Sequence, residues 1–200
     1  LEASLGYFIS PLFSMLLGRL FFNEHFNRIQ LAAIVLAAIG IFWLALPAGQ
    51  VPWVALLLTL TFGLYGLLRK TAPLDALPGL ALETLLLLPF ALAYLGWLAQ
   101  QGQLVFVSLP PLLLATLIGS GIVTTVPLLL FAAGARRISM SDLGIIQYVS
   151  PTIQFLLGLF LFGEAFDVSR FIGYGWVWLG VAVYLFGIWH QQRSKRMPVE

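Results

Sequence analysis

The chain has 200 residues, of which 60% are apolar and 9% charged, with no cysteine and a formal net charge of +2. A mean hydropathy of +0.99 excludes an ordinary water-soluble domain, and the missing cysteines remove disulfide frameworks, Cys-based metal sites and thiol catalysis. The pI near 9.2 does not point to nucleic acid, because the basic residues lie at the ends of apolar runs and form no patch.

A bilayer core about 30 Å thick needs roughly 20 apolar residues per crossing helix. Seven windows meet that need: residues 5–22, 30–46, 53–68, 78–99, 111–134, 141–162 and 171–189. They lack the alternation of a barrel strand, and open strands leave backbone groups unsatisfied in lipid, so an all-α integral membrane protein is expected. The lipid bilayer is its first partner.

Polar residues inside such windows are costly unless they face protein or water. The first window carries Tyr7, Ser10 and Ser14 at i, i+3 and i+7, with Pro11 at its middle. The second holds Ala33 and Gly40, the third Tyr65. The fourth contains Glu83, the only acid well inside an apolar run, and Pro89. Burial would make Glu83 a proton carrier; a place at the cytoplasmic mouth, paired with Arg69, Lys70 or Arg136, would make it a helix orienter. The fifth carries Thr124, Thr125 and Pro127, where threonine hydroxyls either rebond carbonyls that a proline frees or, for Thr124 as for Tyr65, line a substrate cavity.

The sixth window places Gln147, Ser150 and Gln154 on one helix face, beside Tyr148, with Pro151 interrupting the ladder. Two readings stand for this stripe and its counterpart at Tyr7, Ser10 and Ser14: a substrate cavity, or interhelical hydrogen bonds that hold the bundle. In the last window Gly173, Gly180 and Gly187 recur every seven residues, a small-residue seam joining either the two repeats described next or two protomers as a homodimer. Trp43, Trp53, Trp97 and Trp189 fall near window ends, as interfacial anchors do.

Residues 8–26 and 148–166 align without a gap at a separation of 140, sharing Ser, Pro, Leu-Leu, Gly, Phe, Glu and Phe, and the match continues from Gly40 to Gly180. Glu24 and Glu164 end equivalent helices and read as a shared cap or turn, with a gating pair as the alternative. The basic residues Arg28, Arg69, Lys70, Arg136, Arg137, Arg193, Lys195 and Arg196 occupy alternate loops and the C-terminal tail; the other loops hold only Arg170. By the positive-inside rule the C-terminus is cytoplasmic and the loop after Phe22 lies opposite the loop after Phe162, so the two copies are inverted. Residues 1–47 then hold helices four and five of an incomplete first repeat, residues 52–190 a complete five-helix second repeat, and residues 191–200 a basic cytoplasmic tail. Equal repeat lengths place the start of copy one roughly 87 residues ahead of Leu1.

The segments Leu5-Gly-Tyr-Phe-Ile-Ser-Pro11, Phe62-Gly-Leu-Tyr-Gly-Leu-Leu-Arg-Lys70, Leu82-Glu-Thr84, Leu128-Leu-Leu-Phe-Ala-Ala133 and Leu143-Gly-Ile-Ile-Gln-Tyr-Val-Ser-Pro-Thr-Ile-Gln-Phe155 resemble RarD-type proteins of the EamA family, in the drug/metabolite transporter superfamily. The resemblance covers essentially the entire chain. It implies a ten-helix carrier of two inverted five-helix repeats in the plasma membrane, the inner membrane of a bacterium, with both termini cytoplasmic and a small-molecule substrate that is mostly exported.

A secondary carrier working by alternating access is therefore expected, with a channel or a non-transporting membrane regulator as the rival. An enzyme is disfavoured by the lack of paired intramembrane carboxylates, a Ser-His arrangement or a His-Glu metal motif. No ATP-binding loop is present, so no cofactor is expected and transport would draw on a gradient. His25 and His190 are single and interfacial, and Arg19 snorkels from its helix end.

Overall fold

The computed structural model describes residues 2–46, 52–163 and 167–196. Eight α-helices are described: α1 Glu2–Phe22, α2 Arg28–Ala45, α3 Trp53–Thr71, α4 Ala76–Gln100, α5 Pro111–Ala135, α6 Met140–Gln147, α7 Val149–Phe160 and α8 Val168–Arg196. One 3₁₀ turn, Val105–Val107, precedes α5. The architecture is all-helical, and six stretches are long and apolar enough to cross a membrane, α6 and α7 counting together as Met140–Phe160; the apolar part of α1, Gly6–Phe22, is shorter. Each of the seven windows thus falls on helix.

Local chemistry sets the helix ends. Asn27 opens α2 with a capping box: its side chain accepts from Gln30 N–H at 2.7 Å, and Gln30 Oε1 accepts from Asn27 N–H at 3.0 Å, satisfying two donors that helix starts leave orphaned. After α1, Asn23 takes a left-handed φ of 51°, and after α7 Gly163, its counterpart at the 140-residue offset, takes φ 61°. Asn and Gly are the residues that tolerate this conformation at a helix end. Glu164, expected to cap like Glu24, lies outside the described residues.

The chain forms two compact units, residues 1–67 with 138–200, and residues 68–137. In the first unit α2 and α8 run antiparallel in close contact. A Cβ on Gly40 would lie 2.7 Å from the Gly173 carbonyl oxygen; one on Gly180 would lie 2.8 Å from that of Ala33; and one on Gly187 would lie 3.2 Å from Ile29. Trp43 Nε1 donates to the Ser169 carbonyl at 3.0 Å. Lipid tails are as apolar as leucine, so such helices adhere by close packing, which small residues permit. The glycine seam therefore joins α2 to α8 within one chain. Around it Phe8, Met15, Ala37, Ile145, Tyr148, Val177 and Tyr184 form the buried core.

The second unit comprises the end of α3 with α4 and α5. Most of α4 and α5 is exposed apolar surface, Leu85, Leu86, Phe90, Ile118 and Val123 among it, a composition suited to hydrocarbon. Polar contacts gather at one end: Lys70 Nζ donates to the Ala135 carbonyl at 3.0 Å, and Arg136 pairs with Asp75 at 3.3 Å while donating to the Ala72 carbonyl at 3.3 Å and to the Leu74 carbonyl.

Candidate functional site

In the first unit, α1 crosses α6 antiparallel and close. A Cβ on Gly144 would lie 2.6 Å from the Pro11 carbonyl oxygen, and one on Gly18 would lie 3.0 Å from Met140 Cβ. This crossing brings Pro11, Met15 and Gly18 of α1 against α6. Ser10, Ser14 and Tyr148 are each buried.

The window at residues 141–162 is two helices, because α6 ends at Gln147 and α7 starts at Val149. Tyr148 N–H turns back to the Ile145 carbonyl at 3.2 Å. The expected interruption by Pro151 shows here: lacking an N–H, the proline leaves the Gln147 carbonyl without its i+4 donor, and the ladder lapses at Tyr148, which keeps a helical φ of −64° and ψ of −15°. Thr152 Oγ1 donates to the Tyr148 carbonyl at 2.7 Å and accepts from Trp178 Nε1 at 3.0 Å. α1, α4 and α5 continue unbroken through Pro11, Pro89 and Pro127.

At the α6–α7 junction three buried polar atoms have no hydrogen-bond partner: Gln147 Oε1, Gln147 Nε2 and the Tyr148 hydroxyl. A buried group left unpaired costs about 1–3 kcal/mol, so such atoms in a membrane span mark a place where a polar partner belongs.

The other sequence-derived candidates are dispersed. Ser150 and Gln154 are exposed on α7 and meet each other, Gln154 Nε2 to Ser150 Oγ at 3.5 Å. Tyr7 is 54% exposed. Tyr65, half-buried on α3, sets its ring 6.4 Å from that of Phe62. Glu83 and Thr124 belong to the second unit. Thr124 Oγ1 donates to the Ser120 carbonyl at 2.8 Å and Thr125 Oγ1 to that of Gly121 at 2.7 Å. Neither reaches the Val123 carbonyl, the one deprived by Pro127.

Glu83 is paired: Arg69 Nη1 lies 3.3 Å from its Oε1, and Arg69 Nη2 donates to the Ala76 carbonyl at 2.7 Å. The Arg69 side chain is 3% exposed and lies across Gly79, where any Cβ would collide with the guanidinium. Of the three partners expected for Glu83 the structure selects Arg69; the packing on Gly79 was not foreseen, and its signal was a glycine one turn before an acid in an apolar run.

Glu24 is bound more fully than a turn residue requires. Its carboxylate accepts from Met140 N–H at 2.7 Å and Ser141 N–H at 3.0 Å, and from the Ser141 hydroxyl. These are orphan donors at the start of α6, where a helix also favours negative charge. A polar cavity of about 350 Å³ opens beside it, lined by Glu24, His25, Gln30, Asp142 and Tyr184 among others. Among the described residues no group of three His, Cys, Asp or Glu is placed to hold a metal ion.

Residues 51–186 match the model of the EamA-like transporter family. An uncharacterized transporter of Pseudomonas aeruginosa is 44% identical across 99% of this chain and 66% of its own length. An uncharacterized transporter of Bacillus subtilis is also 44% identical, across 93% of this chain and 62% of that protein. Protein RarD of Escherichia coli is 40% identical across 98% of this chain and 67% of that protein. The chain therefore spans about two thirds of the length of these curated relatives. No solved structure matches it. With six apolar helices able to span a bilayer and a family match over most of its length, this multi-pass membrane chain belongs to the EamA-like transporter family.

Proposed function

We infer that the intact protein is a secondary carrier that moves a small amphipathic metabolite or drug by alternating access, built as two inverted five-helix repeats in a plasma membrane with its C-terminus cytoplasmic. The observation that carries this reading is the exchanged contact between α2 and α8. Gly40 meets Gly173 as Gly180 meets Ala33, and each residue of the second pair is offset by 140 from one of the first. Exchange of equivalent residues across an antiparallel pair is the signature of a twofold lying in the membrane plane, the relation between inverted repeats.

Such a fold holds its substrate near the midplane, where broken helices expose backbone and polar side chains. The interruption between α6 and α7, the unpaired atoms of Gln147 and Tyr148 and the buried Ser10 and Ser14 support such a site on α1, α6 and α7, with Tyr7, Ser150 and Gln154 exposed on the same helices. The ion pair with Arg69 supports Glu83 as a residue that orients helices. The names of the relatives, transporters in every case cited except RarD, support transport over catalysis.

Counterflow tests the reading. Full-length protein in liposomes preloaded with unlabelled solute should take up labelled solute transiently above equilibrium, and uptake should saturate. Linear, unsaturable flux would favour a channel. No flux across a broad panel of metabolites would favour a non-transporting regulator.

A further inference from the structure

We propose that the charged end of the second unit binds the headgroup of an anionic phospholipid, whose acyl chains lie along the exposed faces of α4 and α5. The proposal requires only that the chain sits in a bilayer and does not depend on transport.

The first argument is where this unit keeps its charge. Residues 84–135 contain no Asp, Glu, Lys, Arg or His. Every charge of residues 68–137 is gathered where α3 finishes, α4 begins and α5 finishes: Arg69, Lys70, Arg136 and Arg137 against Asp75 and Glu83, a net +2. Contacts draw these residues together. Lys70 Nζ reaches from α3 to the last carbonyl of α5, that of Ala135, at 3.0 Å. Arg136 reaches from the end of α5 to the loop before α4, to the Ala72 carbonyl at 3.3 Å and the Asp75 carboxylate at 3.3 Å. A carbonyl is neutral, so the donors that it occupies leave the cationic charge in place.

The second argument is the donors left over. Arg137 is exposed, and among the described residues no hydrogen bond or ion pair engages its side chain. Arg69 is buried, and its Nε–H has no hydrogen-bond partner. Guanidinium and ammonium groups side by side hold phosphate oxygens through charge-assisted hydrogen bonds.

The third argument selects a lipid over a soluble anion. Leu77, Leu82 and Leu85 on α4 and Leu130 on α5, within about three turns of the cations, are all exposed. A phospholipid matches both the cations and the apolar faces beside them, whereas inorganic phosphate matches the cations alone. By the positive-inside rule this end faces the cytoplasm, where anionic lipids of the inner leaflet are drawn to basic clusters at helix ends.

Competitive lipid retention tests the proposal. The full-length protein, purified in a neutral detergent and mixed with equal amounts of palmitoyl-oleoyl phosphatidylglycerol and the matching phosphatidylcholine, should retain the anionic lipid by about tenfold or more, read by native mass spectrometry. Each Lys or Arg near the headgroup favours it by about fivefold, so Arg137→Gln should lower the preference by about that factor and Arg137→Glu by more. Arg137→Lys should keep it. None of the three should lower the melting temperature, because the side chain is exposed and unengaged. Glutamine at Arg193, Lys195 and Arg196 together should leave the Arg137-dependent part unchanged. Glycerol 1-phosphate, a headgroup analogue without chains, should fail to displace the lipid at equal concentration. Equal retention of the two lipids, a preference indifferent to Arg137→Gln and Arg137→Glu, a preference abolished by the tail substitutions alone, or displacement by glycerol 1-phosphate would each overturn the proposal.

Discussion

Gly40 and Gly180, 140 residues apart, occupy exchanged copies of one helix contact: a Cβ on the first would lie 2.7 Å from the Gly173 carbonyl oxygen, and a Cβ on the second 2.8 Å from that of Ala33. Backbone oxygens cannot swing aside as side-chain tips do, so either methyl pushes α2 and α8 apart. Gly40→Ala and Gly180→Ala should each destabilise by about 1–3 kcal/mol and by similar amounts, read as the melting temperature of the purified full-length protein. Gly175→Ala on the same α8 meets nothing within 4 Å. It should leave stability unchanged or raise it by up to about 1 kcal/mol, as alanine replaces glycine in a helix.

At the polar end of the second unit, the packing of Arg69 on Gly79 should matter more than its charge partner. Glu83 is 40% exposed, and a glutamine in its place still offers Arg69 an acceptor oxygen, so the exchange should cost no more than about 1 kcal/mol. Glu83→Gln should therefore shift melting only slightly and leave counterflow intact. Gly79→Ala displaces a guanidinium that is otherwise buried and should cost about 1–3 kcal/mol. Thermal unfolding of both variants checks the order, and a costlier Glu83→Gln would assign this end to the ion pair.

Glu24 should behave as a cap shared between two helices. Glu24→Ala leaves Met140 N–H and Ser141 N–H, now bonded at 2.7 and 3.0 Å, without an acceptor, and should destabilise by about 2 kcal/mol. Glu24→Gln retains one acceptor oxygen and should lose roughly half as much. Local hydrogen exchange at the start of α6 should rise more in the alanine variant.

Thr124 should prove silent. Its hydroxyl is already satisfied by the Ser120 carbonyl at 2.8 Å, and the residue is exposed. Thr124→Ala should change stability by less than about 0.5 kcal/mol and leave counterflow as it was. A loss of about tenfold in its rate would move Thr124 into the site.

The helical windows were legible because their signal is local: long uncharged runs bounded by Arg, Asn and Gly. The partner of the Gly173, Gly180 and Gly187 seam was not, since a stripe of small residues states that something approaches closely and leaves open what. Pro11 and Pro151 stand at aligned positions, yet the helix runs unbroken through the first and lapses for one residue ahead of the second, at Tyr148. Arg69 reads as a loop cation in sequence because only the fold brings Gly79 beneath it. Of the candidate site, Gln147 and Tyr148 stand out by their unpaired atoms; Ser150 and Gln154 share the helical stripe and are exposed.

The inverted repeat is the claim on which the carrier reading depends, and cysteine labelling tests it most directly because this chain contributes no native thiol. His25→Cys and Phe162→Cys each place one thiol in an exposed position, just after α1 and just after α7. In intact cells expressing the full-length protein, an impermeant maleimide should label Phe162→Cys from outside and reach His25→Cys only after permeabilisation. Labelling of both from the same side would contradict the inverted repeat and the alternating-access mechanism built upon it.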